Sequence, residues 1–254
     1  MENNNLQPHI LCKEGDIAPF VLLPGDPGRV LRMAELLDEF KEISFNREYR
    51  VVTGKYKNTP VTICSTGIGG PAVAIAMEEL INLGAEVFIR VGSCGASQEE
   101  IKIGDLIISD SVIREDDTCV EYVPIQFPAV ADRKIVDLLE KSAQQEGVRY
   151  FIGPTVSVDA LYSPQTKERK NFWKKFGALA QDMEAGTVLT LARVKGVKAG
   201  AILLVVDQEG EKNVKEKIAE YSVEAKENKG ELVEFEKQAT KIALEAILNY
   251  DQEK

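Results

Sequence analysis

Short apolar runs recur along the chain, and several lead through a glycine-containing turn into a stretch with helical spacing. The run 20–23 breaks at a Pro-Gly-Asp-Pro-Gly sequence, and apolar residues then recur three and four positions apart over 30–37. The clearest run, 198–207, ends on Asp207. Because alternating strands and helices build α/β sheets, the pattern predicts an α/β fold with ligand-binding groups at the carboxyl ends of its strands.

The same reasoning extends over the rest of the chain. Apolar and β-branched composition predicts strands, and apolar spacing of three and four predicts helices. We expect a hairpin over 50–56 and 61–65, strands at 87–91, 106–110, 111–115 and 150–157, and helices over 71–84, 131–147, 185–194 and 223–250. The basic residues Lys167, Arg169 and Lys170 are expected on an exposed helix, and 208–213 in a charged loop.

Arg90 interrupts the apolar run 87–91, and we interpret the Gly-Ser-Cys-Gly sequence that follows as a turn over 92–95. A buried arginine is costly unless an anion or a carboxylate pairs with it. This segment therefore indicates either an anion-binding floor at the end of a central strand or an arginine bonded to a structural carboxylate. The segment alone leaves both interpretations open.

Composition narrows the class of protein. The chain has 254 residues and a net charge of −10, which argues against a general nucleic-acid or anionic-membrane binder. Its four cysteines show no C-x-x-C spacing and there is a single histidine, so no zinc set is expected. With no signal segment, apolar span, repeat or linker in the pattern, we expect one cytoplasmic domain over 1–254.

Six motifs appear together in one order along the chain. They are Pro-Gly-Asp-Pro-x-Arg at 24–29, Asn-Arg-Glu at 46–48, Gly-Ile-Gly-Gly-Pro at 67–71, Ile-Arg-Val-Gly-Ser-Cys-Gly at 89–95, Asp-Met-Glu-Ala at 182–185 and Val-Asp at 206–207. In that order the chain resembles the nucleoside phosphorylase-I family, in its hexameric purine nucleoside and uridine phosphorylase branch. The resemblance implies an α/β fold, a single three-layer α/β/α domain around a mixed, partly barrel-like sheet. It also implies reversible phosphorolysis of a nucleoside, with phosphate as co-substrate and no cofactor or metal.

The resemblance also implies a role for each matched residue. Guanidinium groups suit phosphate oxygens, and Asp207 and Arg90 are the implied catalytic residues. The family is a homo-oligomer, a dimer-based hexamer in this branch, so His9 and Arg47 are expected to reach a neighbouring subunit's site. Phosphate would be bound by Gly25, Arg29, Arg47, Arg90 and Ser93, and ribose by His9, Met183 and Glu184.

Signals for the base conflict. Asp207 matches the purine-branch acid that protonates N7, for which its pKa would have to be raised. Gln165 matches the glutamine with which uridine phosphorylases read uracil, although Lys167 replaces its partner arginine. Leu161 replaces the usual aromatic residue, and an aspartate replaces the usual glutamate at 182. We expect the base to contact Cys94, Gly95, Tyr162, Gln165, Asp182 and Asp207.

On balance the motifs favour a 6-oxopurine nucleoside such as inosine or guanosine, with uridine as the alternative. Two further alternatives stay open. A nucleosidase of the same superfamily would use water in place of phosphate, although its sites lack the full arginine set. A non-catalytic, nucleoside-binding relative would keep the fold without turnover.

Overall fold

The computed structural model describes residues 5–208 and 214–254, and in these residues ten strands form one mixed sheet. The strands are β1 (Phe20–Leu23), β2 (Glu39–Asn46), β3 (Tyr49–Tyr56), β4 (Thr59–Cys64), β5 (Val87–Ala96), β6 (Leu106–Glu115), β7 (Ala129–Val130), β8 (Tyr150–Val158), β9 (Ala180–Asp182) and β10 (Lys198–Gln208). The helices are α1 (Pro27–Ala34), α2 (Gly70–Asn82), α3 (Thr118–Tyr122), α4 (Arg133–Glu146), α5 (Thr166–Lys174), α6 (Ala185–Lys195), α7 (Val214–Lys226) and α8 (Glu231–Gln252).

Five of the strands close into a barrel. β10 pairs in parallel with β5 and antiparallel with β6, while β6 pairs with β8, β8 with β9, and β9 with β5. The remaining strands extend from β5 in the order β1, β4, β3 and β2, and β7 pairs with β6. The predicted α/β class with a mixed, partly barrel-like central sheet is confirmed.

Helices bury this sheet, and their ends follow ordinary capping chemistry. The Asp26 carboxylate accepts hydrogen bonds from the first backbone N–H groups of α1, and Asp132 does the same for α4. Gly147 ends α4 in the left-handed conformation. Helices α6 and α8 both pack on β10, and α8 also packs on α4. As expected for a strand covered on both faces, β10 is buried from residue 199 to 207.

The predicted turn at 92–95 is wrong, because these residues continue β5. Gly95 has partners on both sides, Gln181 in β9 and Asp207 in β10, so the barrel itself keeps this segment extended. Gly92 meets a different requirement. A Cβ atom there would lie 2.7 Å from the guanidinium carbon of Arg90. The glycines at this end of β5 thus permit close approach of neighbouring groups rather than a change of direction.

Two other expectations change. The single helix predicted over 223–250 is divided into α7 and α8, and Gly230 at the break has a φ of 111°, which favours glycine. The strand β2 was not predicted, because its residues are mostly polar and partly exposed. Of the predicted loop 208–213, residues 209–213 lie outside the described part of the chain. Within that described part, none of the helices has both the length and the apolar character of a membrane span.

The contact between β10 and α4 generates a stability prediction. A Cβ added to Gly200 would lie 2.5 Å from Ile135 Cγ2, so we expect Gly200→Ala to lower the free energy of unfolding by about 1–3 kcal/mol through overpacking. Urea unfolding measures the change. In an Ile135→Ala background the clash is absent, and the cost of the glycine substitution should fall. Additive costs in this double-mutant cycle would contradict the contact.

Candidate active site

Arg90 lies at the centre of the candidate site, 4% exposed, in the middle of β5. Its Nε donates to Asp182 Oδ2 at 2.9 Å, and its Nη2 donates to Glu184. Its Nη1 is buried and has no hydrogen-bond partner among the described residues. Two carboxylates thus fix the guanidinium plane. The remaining nitrogen, Nη1, keeps its N–H groups for another acceptor.

Glu184 joins this arginine to a glycine turn. Its Oε1 accepts a hydrogen bond of 2.7 Å from the backbone N–H of Gly69, which precedes α2. Burial raises the pKa of Glu184, and the nearby Asp182 adds to the rise, while Arg90 opposes it. Here burial outweighs the ion pair, so the pKa of Glu184 lies above its ordinary value.

Asp182 accepts hydrogen bonds from neutral groups of the protein as well as from Arg90. Its side chain is 0% exposed. One oxygen accepts from Ser157 Oγ at 2.5 Å, and the other accepts from the backbone N–H of Ala185 at 2.9 Å as well as from Arg90. Because every face of this carboxylate is covered by protein, we assign it to holding Arg90 and the start of α6 rather than to contact with a base.

Asp207 stands near the carboxyl end of β10, where the ladder to β5 contains a bulge between Val205 and Asp207. It is paired with Gly95, and a Cβ there would lie 3.2 Å from Asp207 Oδ2. Lys170 Nζ lies 3.9 Å from the same oxygen. The expectation that Lys170 is an exposed helix residue is wrong, since its side chain is only 13% exposed.

The other predicted residues of the glycine-rich segments lie around this centre. Ser93 is half-buried on β5, three residues beyond Arg90, and Cys94 next to it is buried. Burial raises the pKa of the Cys94 thiol, so it is a neutral group and not a nucleophile. Gly25 accepts a backbone hydrogen bond of 2.9 Å from Gly67, which joins the two glycine turns. Met183 is half-buried between Asp182 and Glu184.

Arg29 is buried and fully engaged with protein groups. Its Nε donates to Glu236 at 3.0 Å, Nη2 to the Tyr221 hydroxyl at 2.7 Å, and Nη1 to the carbonyl of Val91 at 3.2 Å. The last contact places the guanidinium beside the strand that carries Arg90. Its phosphate role stays a prediction.

His9 and Arg47, the two residues predicted to serve a neighbouring subunit, lie at one surface. Glu79 accepts hydrogen bonds from the backbone N–H of His9 at 3.0 Å and contacts its Nδ1 at 2.6 Å. The Asn46 side chain donates to the His9 carbonyl at 2.8 Å, and Arg47 follows directly, exposed at the tip of the β2–β3 hairpin. Among the described residues, no hydrogen bond or ion pair joins either residue to Arg90, and their role in a neighbouring subunit's site stays a prediction.

Among the predicted base-contacting residues, the two in the segment 161–165 are the most exposed. Tyr162 is 64% exposed and Gln165 is also exposed, just before α5. Sequence reasoning missed Lys170, Ser157, Glu236 and Tyr221. Of these, only Lys170 could have been found from the sequence. Its signal is that it is a basic residue on the helix that follows the predicted uracil-reading glutamine.

Comparison with known proteins shows the family of the chain. The family model described as the phosphorylase superfamily matches residues 19–248. A uridine phosphorylase of Thermococcus kodakarensis is 47% identical over 79% of this chain and 76% of its own, and a guanosine phosphorylase of Halorubrum lacusprofundi is 43% identical over 78% and 82%.

Solved structures agree at the level of the fold. A Vibrio fischeri uridine phosphorylase in complex with 6-hydroxy-1-naphthoic acid has a TM-score of 0.87 and 35% identity, covering 96% of each chain. A Toxoplasma gondii purine nucleoside phosphorylase in complex with immucillin-H has a TM-score of 0.84 and 28% identity over both whole chains. The chain therefore belongs to the phosphorylase superfamily, and the expectation of a pentosyltransferase of nucleoside phosphorylase type is confirmed.

The network around Arg29 generates a pH prediction. Burial alone would raise the pKa of Glu236, but Arg29 and Arg32 outweigh burial and hold the pKa below its ordinary value. A depressed carboxyl pKa stabilises the fold above the unfolded value of about 4.3, and that stability is lost as the pH falls through the folded value.

We expect Glu236→Gln to destabilise the protein at pH 7 by about 3–5 kcal/mol, since it leaves two buried arginines without their carboxylate. At a pH below the folded pKa of Glu236 the wild type loses the same charge, so the difference between the two proteins should narrow. Urea unfolding at several pH values measures this. Glu234→Gln, an exposed carboxylate of the same helix, is the control and should change little. A difference that stays constant with pH would contradict the ion pairing.

Proposed function

We propose that this protein is a nucleoside phosphorylase, which cleaves a ribonucleoside with phosphate to give the free base and ribose 1-phosphate, reversibly. The observation that carries the proposal is Arg90, a buried arginine held by Asp182 and Glu184 with one nitrogen left for an anion. Family membership supplies the reaction type, and the residues present supply the charge that phosphate needs.

In the proposed mechanism, phosphate attacks the anomeric carbon while the bond to the base breaks through an oxocarbenium-like state. Catalysis consists mainly of holding the phosphate beside the sugar cation that develops. Arg29, Arg90, Ser93 and the backbone of Gly25 hold the phosphate. Glu184 accepts hydrogen bonds from the ribose hydroxyls, and Met183 packs on the sugar.

The leaving base takes the electron pair of the glycosidic bond and needs stabilisation as that bond breaks. We assign this role to Asp207, which is buried near the end of β10 with Gly95 opposite. In a purine nucleoside it would give a proton to N7 of the base. With Asp182 covered by protein, the base is left with Cys94, Gly95 and Asp207 on the barrel side and Tyr162 and Gln165 on the exposed side.

Two bases fit this proposal. Asp207 favours a 6-oxopurine such as hypoxanthine or guanine, and the guanosine phosphorylase relative supports it. Uracil fits at least as well, because several relatives, including the Thermococcus kodakarensis protein, are named uridine phosphorylases and Gln165 matches their pattern. Both bases carry an exocyclic oxygen, so the proposal is an oxo-nucleoside substrate.

The proposed enzyme is a homo-oligomer, a dimer-based hexamer. Support comes from the shared surface of His9 and Arg47, where the Asn46 side chain links the two segments. Each would complete a site in the neighbouring subunit, so an isolated subunit would lack part of its phosphate and ribose contacts. No cofactor or metal belongs to the proposal, phosphate being a co-substrate. A cytoplasmic location is proposed from the four cysteines, which are all free thiols.

A substrate panel tests the proposal. Purified protein is incubated with inosine, guanosine, adenosine or uridine, with and without phosphate, and free base and ribose 1-phosphate are measured. We expect base release from at least one oxo nucleoside that requires phosphate and yields ribose 1-phosphate in equal amount. Release that is equally fast without phosphate would indicate a nucleosidase instead. Binding without turnover would indicate the non-catalytic alternative.

A further inference from the structure

Lys170 reaches the base end of the site from a helix that lies partly exposed on the barrel. None of the residues of α5 is fully buried, yet the Lys170 side chain is 13% exposed and its Nζ lies 3.9 Å from Asp207 Oδ2. The same Nζ would lie 3.9 Å from a Cβ placed on Gly95. The ammonium group therefore stands beside both Asp207 and the open face of Gly95.

The helix that carries Lys170 is anchored on both sides of it. Before Lys170, Arg169 Nε lies 3.6 Å from Glu115, and after it the Trp173 indole N–H donates to Glu115 Oε1 at 2.9 Å. The Gln98 side-chain amide, beyond the end of β5, donates to the Lys174 carbonyl at 3.2 Å. Because these contacts fix α5 against the barrel, Lys170 is directed to Asp207 by the fold.

The distance between Lys170 and Asp207 leaves the ammonium group with N–H donors for another acceptor. At 3.9 Å, Lys170 and Asp207 attract each other as charges but lie beyond hydrogen-bond distance. An ammonium has three N–H donors and no acceptor. A half-buried cation with donors to spare, placed beside the proposed base-stabilising acid, is suited to an oxygen of the base.

We propose that Lys170 binds the exocyclic oxygen of the base, O6 of a 6-oxopurine or O4 of a pyrimidine, and that it selects oxo over amino nucleosides. The inference rests on the proposed nucleoside phosphorolysis. Guanine presents N7 and O6 as neighbouring acceptors, and thymine, which shares its ring with uracil, presents O4. Adenine and cytosine present an amino donor at the same place. A donor-only cation attracts the oxygen and repels the amino group.

The same contact assists the reaction. As the bond between the anomeric carbon and the base nitrogen breaks, a phosphate oxygen forms the new bond to that carbon and the electron pair stays on the base. In an oxo base that charge spreads onto the exocyclic oxygen, where Lys170 stabilises it, while Asp207 serves the ring nitrogen. Lys167, three residues earlier and exposed, is the residue that sequence matching aligns with a base-reading arginine. In the fold, Lys170 rather than Lys167 lies beside Asp207.

The test compares Lys170→Met and Lys170→Arg with the wild type, using Lys175→Met, an exposed lysine just after the same helix, as the matched control. For each protein kcat/KM is measured with inosine, adenosine, uridine and cytidine, together with the KM for phosphate and the melting temperature. Lys170→Met should lower kcat/KM for the oxo nucleosides by about 10- to 100-fold.

The kcat/KM for the amino nucleosides should fall little or rise. The ratio of kcat/KM for oxo substrates to kcat/KM for amino substrates therefore falls. Lys170→Arg should restore part of that ratio, the phosphate KM should stay constant, and Lys175→Met should match the wild type. Equal losses for oxo and amino substrates, or an unchanged ratio, would overturn the inference alone. A wild type without phosphate-dependent cleavage would overturn the proposed function itself.

A second measurement does not depend on turnover. Calorimetric titration of the folded proteins with hypoxanthine and adenine compares affinity for the two free bases directly. Lys170→Met should weaken hypoxanthine binding about 10-fold or more and spare adenine. If both bases bind the variant as they bind the wild type, Lys170 does not contact the base.

Discussion

The buried pairing of Arg90 with Asp182 and Glu184 is the interaction on which the site depends. A guanidinium that is 4% exposed needs compensating charge, and here the two carboxylates come from one short segment, β9 and the start of α6. Barrel closure brings that segment to β5, because β9 pairs with residues 95 and 96. Gly92 then gives the guanidinium room to lie along the strand.

A second buried network lies beside the first. Glu236 of α8 binds both Arg29 and Arg32 of α1, and Tyr221 of α7 donates to the same carboxylate. Burial raises the pKa of Tyr221 to about 12, so the hydroxyl stays protonated and donates. The carboxyl-terminal helices are thus held to the first glycine turn by charge.

Much of the fold follows from the sequence, since buried strands and amphipathic helices carry strong periodic signals. The main errors in the predicted strands, turns and helices occur at glycines. At 92–95 the same residues that form turns elsewhere permit close packing, and only the pairing partners of β5 distinguish the two. The break at Gly230 was hidden by apolar spacing that continues across it. Site residues were recognisable by family motif, but contacts between distant segments, such as those of Lys170 with Asp207 and Arg29 with Glu236, carry no local signal.

Phosphate binding tests the central claim most directly, namely that Arg90 is held by two carboxylates so that it can bind an anion. Isothermal titration with inorganic phosphate compares the wild type with Arg90→Lys. Arg149→Lys is the control, because that arginine is 54% exposed and donates to the backbone carbonyl of Glu100. Lysine keeps the charge but cannot bond both carboxylates and phosphate in one plane. We predict a loss of phosphate affinity of at least about 10-fold in Arg90→Lys and none in the control. Equal affinity in all three proteins would contradict the account.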